Sequence, residues 1–187
     1  SEAIHKVIIS TPDEVVLNYI DQFYGDKIIL HKRDEKLAQI NKKLSPGLLE
    51  SLKFYESSNS KPDALMILNI ESPLRDSVYI EKAINVMRLF DIDSVVGVTI
   101  EDDIFYTHNG NGLIPQSKPG GLKLERDVLY KKVGGMSLVT RNYFKKTKSI
   151  FGGRMGHIQL DQESALSIAS KNDWDFAELL LKRKDHK

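Results

Sequence analysis

The sequence predicts an α/β protein on a three-layer, mostly parallel sheet, and three observations lead there. Short runs of aliphatic and β-branched residues at 7–9, 64–70 and 94–100 alternate with stretches whose apolar residues recur every three or four positions. Strand and helix alternate in this way over the first hundred residues, the order that produces parallel sheets with helices on both faces. Hydrophobic residues make up 41% of the 187 positions, enough for one full core, so a single domain spanning 1–187 is expected.

Each element follows from local signals. Val7-Ile8-Ile9 follows a polar start and reads as a buried strand. The run Ser10-Thr11-Pro12-Asp13-Glu14 opens a helix, with Thr11 as N-cap, Pro12 in the first helical position and Glu14 as the reciprocal capping-box partner. Val15, Val16, Tyr19, Ile20 and Phe23 keep helical spacing, and Gly25 ends the run. Residues 27–30 form a second strand, so the opening is β-α-β. Residues 31–45 are polar and read as a loop. Ser45-Pro46 starts a helix carrying Leu48, Leu49, Leu52, Phe54 and Tyr55, and residues 57–62 turn. Residues 64–70 are a nearly unbroken apolar run interrupted by Asn69, the pattern of a middle strand covered on both faces. Asp76 or Ser77 then caps a helix with Ile80, Ala83, Ile84, Met87 and Phe90 inward, and residues 94–100 form another buried strand.

Beyond residue 100 the pattern changes. Asn109-Gly110-Asn111-Gly112 and Pro119-Gly120-Gly121 are turn signals, and 104–107 and 135–140 read as short antiparallel strands. Gly152-Gly153-Arg154-Met155-Gly156 reads as a mobile or ligand-hugging loop, 165–168 as the last strand. Asn172 or Asp173 opens a final helix with Trp174, Ala177, Leu180 and Leu181 inward. In such sheets ligands bind beyond the carboxyl ends of the strands. That directs attention to Ser10-Thr11-Pro12, residues 69–75 and Glu101-Asp102-Asp103.

Charge and composition exclude several classes. Lys and Arg number 27 against 26 Asp and Glu, a formal charge of +1, which gives no reason to expect a nucleic-acid or anionic-membrane partner. Mean hydropathy is −0.32, and no apolar run approaches the roughly 20 residues that cross a bilayer. With no cysteine there is no disulfide, thiolate metal site or thiol nucleophile. Nothing resembles a signal peptide, so a cytoplasmic location is expected. The five histidines, His5, His31, His108, His157 and His186, lack metal-site spacing and read as surface or turn residues. The first residue is Ser1, so the polypeptide is expected to be a piece of something longer.

Three stretches stand in a telling order. They are Val-Ile-Ile-Ser-Thr-Pro-Asp-Glu at 7–14, Leu-Asn-Ile-Glu-Ser-Pro-Leu-Arg at 68–75, and the stretch 165–178, which ends Asn-Asp-Trp-Asp-Phe-Ala-Glu. Together they resemble the cytidylyltransferase family that activates acidic sugars, the CMP-sialic acid and CMP-ketodeoxyoctonate synthetases. The resemblance spans nearly the whole chain and implies a Rossmann-like nucleotidyltransferase sheet. It also implies a reaction: the sugar's anomeric hydroxyl attacks the α-phosphorus of CTP and pyrophosphate leaves. Magnesium and donors for the sugar carboxylate are implied with it. CTP and an acidic sugar are the implied partners.

By that resemblance Asn69 stands where the family has a sugar- or nucleotide-facing Gln, and Ser72 and Arg75 match outright. Glu71 takes the place of a metal-binding Asp, which makes Glu71 and Arg75 the catalytic candidates and Glu71 and Asp173 the metal candidates. Arg126, followed by Asp127, resembles an Arg-Gln pair that grips the sugar, and Gly134-Gly135 an Asn-Gly near it. Residues 103–160 occupy the place of the excursion through which family members dimerise, so a homodimer is implied.

Departures from the pattern keep a second reading open. The family's glycine-rich basic loop has no counterpart here. Ser167 and Ala169 fall where the family has metal-binding acids, and Pro12 replaces a third. Ala169 cannot ligate, and magnesium prefers carboxylates and water. A divergent, non-catalytic member acting as a binding or assembly module is the alternative. Single residues carry plainer alternatives too. Glu71 is either a ligand contact or a helix-start acid favoured by the macrodipole. Arg75 either grips an anion or makes a structural ion pair. Asp173 is either a ligand or an N-terminal helix acid. Asn69 is a buried amide satisfied by a ligand or by a neighbouring loop.

Overall fold

The structure, a computed structural model, describes residues 2–23, 28–39, 43–58, 60–116 and 128–185. Lys27, Gly25, the 119–121 turn, Arg126 with Asp127, and His186 lie outside the described residues. Two compact units are present. One gathers Ser1–Ile67, Ser77–Val95 and Ser137–Gly156; the other gathers Leu68–Asp76, Val96–Met136 and His157–Lys187.

In the first unit, β1 (Val7–Thr11) and β2 (Ile28–Lys32) are parallel, with Val7 opposite Ile28 and Thr11 opposite Lys32. Parallel neighbours need a crossover, and α1 (Glu14–Phe23) supplies it. The predicted β-α-β opening is therefore present, although β1 and β2 form a two-stranded sheet of their own. The helix start differs from expectation. Asp13, not Thr11, is the N-cap: its Oδ1 accepts from the Val15 and Val16 amides at 2.8 and 3.4 Å. Thr11 still belongs to the strand, and the Asp13 carboxylate reaches the free amides of the first turn. Glu14 closes no capping box; it pairs with Lys32. Val15 (77% exposed), Val16 and Tyr19 lie on the surface instead of facing a core.

A single 3₁₀ turn (Glu35–Leu37) breaks the expected loop and is capped by Asp34. Helix α2 (Leu44–Ser58) buries Gly47, Ser51, Leu52 and Tyr55. Its Leu52 packs with Ile67, Val139 and Phe144 in the core of this unit, covered by Leu48, Leu49, Leu65, Tyr143 and Ile150. Burial of these side chains, at about 1.5–3 kcal/mol each, supplies the main cohesion.

A four-stranded sheet runs in the order β3 (Ala64–Leu68), β7 (Leu129–Thr140), β4 (Ser94–Glu101), β8 (Met155–Gln159). Arg141 N donates to Asp63 O and Asn69 N to Gly135 O, so β7 runs against β3. Ser94 N donates to Arg154 O and Leu160 N to Val98 O, so β8 runs parallel to β4. The α/β class and the mostly parallel sheet stand, with β7 reversed. Three expectations change. β3 is a terminal strand of this sheet and stops at Leu68; Ile70 is 91% exposed in a turn. The last strand is β8, not residues 165–168, which hold the end of α5 (Gln162–Ala165) and an extended segment. The glycine run 152–156 wraps a side chain of the protein: Arg154 N donates to Asp93 Oδ2 at 2.9 Å, and its guanidinium donates to Phe90 O.

Helix α3 (Ser77–Phe90) buries Tyr79 and Ala83 and leaves Phe90 exposed. Strands β5 (Tyr106–His108) and β6 (Leu113–Pro115) form an antiparallel hairpin around the expected Asn-Gly-Asn-Gly turn; the 113–115 strand was not anticipated. Asn109 Oδ1 accepts from the Asn111 and Gly112 amides, which closes that turn. Thr140 caps α4 (Arg141–Thr147). In the second unit, α6 (Lys171–Asp185) buries Ala177 and Leu180 against Leu74, with Leu166 and Ile168 beside them. Trp174 and Leu181, expected inward, are exposed. Among the described residues no helix is long and apolar enough to cross a membrane.

Candidate functional site

The turn after β3 is where the chain concentrates polar groups at the carboxyl end of a strand. It stays in place because its backbone is bonded on two sides. Asn69 N donates to Gly135 O at 2.8 Å, and Ile168 N donates to Glu71 O at 2.7 Å. Arg75 adds a side-chain clamp: Nε donates to Gly134 O at 2.7 Å and Nη2 to Asn69 O at 3.0 Å. Both acceptors are neutral carbonyls. Among the described residues no carboxylate pairs with Arg75, so its charge is not cancelled locally. Burial pushes the Arg75 pKa down, yet a guanidinium stays protonated in proteins. The result is a half-buried cation held in a fixed orientation.

Gly135 shows how tightly four of the sequence candidates meet. Its φ is +51°, in the left-handed region that favours glycine. A methyl group added there would lie 2.8 Å from Asn69 Cβ, 3.2 Å from Ser72 Oγ and 3.4 Å from Arg75 Nη2. Asn69, Ser72, Arg75 and Gly135 therefore converge on one point. Ser72 is 2% exposed and its hydroxyl has no partner among the described residues; an unpaired hydroxyl in a protein interior costs about 1–3 kcal/mol.

Other candidates fall differently. Asn69 is exposed, not a buried amide in a strand, because β3 ends before it. Glu71 is also exposed; it sits in a turn six residues before α3, so the helix-start reading does not hold. Asp173 is the reciprocal member of a capping box on α6. Its Oδ2 accepts from Ser170 Oγ and Ser170 N, both at 2.8 Å, and from Ala169 N at 3.0 Å, while Asp173 N donates to Ser170 Oγ at 3.3 Å. The Ser170 hydroxyl first, then the two amides, hold its pKa below the usual carboxylate range. Among the described residues no three His, Asp or Glu side chains gather as metal ligands. The donor set of Glu71 and Asp173 does not by itself fit a resident magnesium ion. Ser167 and Ala169 lie in the extended segment before α6.

Sequence reasoning missed a second polar cluster, in the first unit. His31, expected at the surface or in a turn, lies in β2 and is buried. Its Nδ1 lies 3.0 Å from Ser10 Oγ and 3.3 Å from Ser51 Oγ, the two hydroxyls are 3.0 Å apart, and its ring stacks on Phe54 at 4.5 Å. The available signal was the four-residue step from Gly47 to Ser51 on α2, which puts a small residue and a hydroxyl on one helix face.

Solved structures agree on the fold. A 4-diphosphocytidyl-2C-methyl-D-erythritol synthase from Anaerococcus prevotii superimposes with a TM-score of 0.66 at 14% identity, covering 95% of this chain and 82% of that one. A CMP:2-keto-3-deoxy-manno-octonic acid synthetase complexed with CTP gives 0.63 at 12% identity, covering 96% and 81%. The Francisella tularensis 2-C-methyl-D-erythritol 4-phosphate cytidylyltransferase gives 0.61 at 10% identity, covering 94% and 80%. No family model matches the sequence, and no curated protein does. At such identities the likeness establishes the fold: this chain has the fold of the cytidylyltransferases.

Gly135→Ala tests the convergence. The positive φ and the contact with Asn69 Cβ should together cost about 1–3 kcal/mol, read as a lower midpoint in chemical denaturation. Unchanged stability would mean the turn has room to spare.

Proposed function

We propose that the chain is a cytidylyltransferase domain that transfers CMP from CTP to an acidic sugar, a nonulosonic or octulosonic acid, and releases pyrophosphate. The single observation that supports this is the Arg75 clamp: a fixed cation with no carboxylate partner among the described residues, at the carboxyl end of a strand, in a fold shared with CTP-using enzymes. In this reading the sugar hydroxyl oxygen bonds to the α-phosphorus, the bond from that phosphorus to pyrophosphate breaks, and the hydroxyl proton is lost to solvent. Arg75 meets the charge that develops on the phosphoryl oxygens, where a preorganised donor acts without reorganisation. Asn69 and the exposed carboxylate of Glu71 face the same edge and contact the acceptor. Arg126 belongs to this reading through the resemblance alone.

A non-catalytic relative is the second reading. It is favoured by the capping role of Asp173 and by Ser167 and Ala169 at the positions of family acids.

Pyrophosphate release from CTP with magnesium separates the two, measured over a panel of nonulosonic acids, octulosonic acids and methylerythritol phosphate. We expect turnover with an acidic sugar and a fall of about 10²-fold or more for Arg75→Gln. CTP binding without pyrophosphate release on any acceptor would leave the non-catalytic reading.

We also propose a homodimer through the 103–160 segment. Its support is the exposed apolar hairpin, where Ile104, Phe105, Tyr106, Leu113 (67% exposed) and Ile114 meet solvent; apolar patches of this kind mark interfaces. Sedimentation at micromolar concentration should give twice the chain mass, and Leu113→Asp should give the single-chain mass. A wild-type monomer would refute it.

A further inference from the structure

In the first unit, β1 and β3 each end a sheet, and the backbone bonds show which of their groups are left over. Arg33 N donates to Thr11 O at 3.1 Å, with Thr11 opposite Lys32. A parallel ladder turns the peptide groups of successive residues to opposite sides. Ile9 and Thr11 therefore face β2, and the amides and carbonyls of Ile8 and Ser10 face away from it. In β3, the bonds from Arg141 N to Asp63 O and from Asn69 N to Gly135 O put the odd-numbered residues on the β7 side. The backbone of Ala64 and Met66 faces the other side. Among the described residues neither β1 nor β3 has a second neighbouring strand.

These two open edges belong on the same side. Helix α1 packs on the face of β1 and β2 that carries Lys32, which pairs with Glu14. Helix α2 packs on the opposite face, where Ser51 meets Ser10 and His31 and where Phe54 stacks on His31. With the two helices on opposite faces, right-handed crossovers carry the chain from β1 to β2 and then from β2 back past β1 to β3. Leu52, one residue after Ser51, seats α2 on Ile67 of β3. Strands β1 and β3 thus lie under one helix, whose diameter of about 10 Å spans roughly two strand spacings of about 4.8 Å. That distance admits one strand between them.

We propose that an extended aliphatic strand of a partner polypeptide inserts between β1 and β3 and joins the two sheets into one. A single insert meets the free donors and acceptors of both edges, whereas the outer edge of β2 offers one side and ends in the exposed, charged Lys32. Its neighbours set its chemistry: Val7, Ile8 and Ile9 on one side, Ala64, Met66 and Ile67 on the other, and α2 above. A strand in that position is aliphatic, uncharged and free of proline. Val7, at 41% exposed, fits an aliphatic residue at an open edge. A second copy of this chain is a poor donor, because its aliphatic runs at 7–9, 28–30 and 64–68 already lie in strands and the run at 179–181 lies in α6. The inference does not depend on the transferase reading.

Residue-resolved amide exchange, followed by NMR on the whole chain, tests it. The probe is a peptide of alternating valine and isoleucine with lysines at both ends, and its control carries a central proline. In the chain alone, the Ile8, Ser10 and Met66 amides should exchange about tenfold or more faster than those of Ile9, Thr11 and Ile67. The probe should slow Ile8, Ser10 and Met66 together by about tenfold or more, and the proline control should not. Slow exchange of these three amides without the probe means that the edges are already covered and overturns the insertion; if it grows with chain concentration, a second copy is what covers them. Protection of Leu30 in their place, whose amide faces the outer edge of β2, overturns it as well. So does the absence of protection at roughly millimolar probe, a weak affinity for any specific partner. No readout here uses CTP, so each outcome is separate from the test of the transferase proposal.

Discussion

Arg75 donates to two main-chain carbonyls and to no described carboxylate, and the arrangement of the turn after β3 depends on that choice. The Nε bond to Gly134 and the Nη2 bond to Asn69 tie the turn after β3 to the middle of β7. A carboxylate partner would have fixed the side chain equally well and neutralised it. Carbonyl partners fix it and leave the charge. The lowered pKa has the same origin, since partial burial removes solvent from a cation that receives no opposite charge in return.

From this clamp the other features follow in sequence. Gly134 and Gly135 both adopt positive φ, +69° and +51°, so that β7 can present its carbonyls to Arg75 and Asn69. Ser72 is then sealed beneath the turn with an unpaired hydroxyl. The Glu71 carbonyl takes the Ile168 amide, which places the start of the 166–170 segment beside the turn. The capping box of Ser170 and Asp173 starts α6, whose Ala177 and Leu180 pack on Leu74 from the same turn. A short polar turn is thereby held by main-chain bonds, one guanidinium and a small apolar cluster, while Asn69 and Glu71 remain open to solvent.

Much of this was legible in the sequence because periodicity and turn chemistry are local. The β-α-β opening, β4 and the Asn-Gly-Asn-Gly turn follow from apolar runs and glycine-bearing turns, and Ser-Pro-Leu-Arg marks the turn that the structure makes polar. What failed depends on tertiary partners. β8 was hidden because Gly156 interrupts its pattern, and that glycine is there for close approach: a Cβ would lie 2.3 Å from Ile92 Cδ1. Residues 165–168 carry a strand-like composition but follow Asp161, which caps α5 by accepting from the Ser164 amide at 2.7 Å. His31 looked like a loop residue because nothing nearby in sequence announces Ser10 and Ser51. Asp173 carries two readings in the sequence because an acid at a helix start serves as a ligand or as a cap, and the Ser170 bonds show the cap. An apolar run such as 64–70 reports burial of a strand's faces and says nothing about its lateral neighbours, so the terminal position of β3 was not readable.

What approaches the free side of Arg75 decides whether its charge serves a nucleotide. A crystal structure of the chain with CTP bound measures this directly. Phosphate oxygens should lie about 3 Å from the Arg75 guanidinium beside Gly135, with the bonds to Gly134 and Asn69 intact. A nucleotide bound elsewhere, with the Arg75 charge met by one of the protein's own carboxylates, would contradict it.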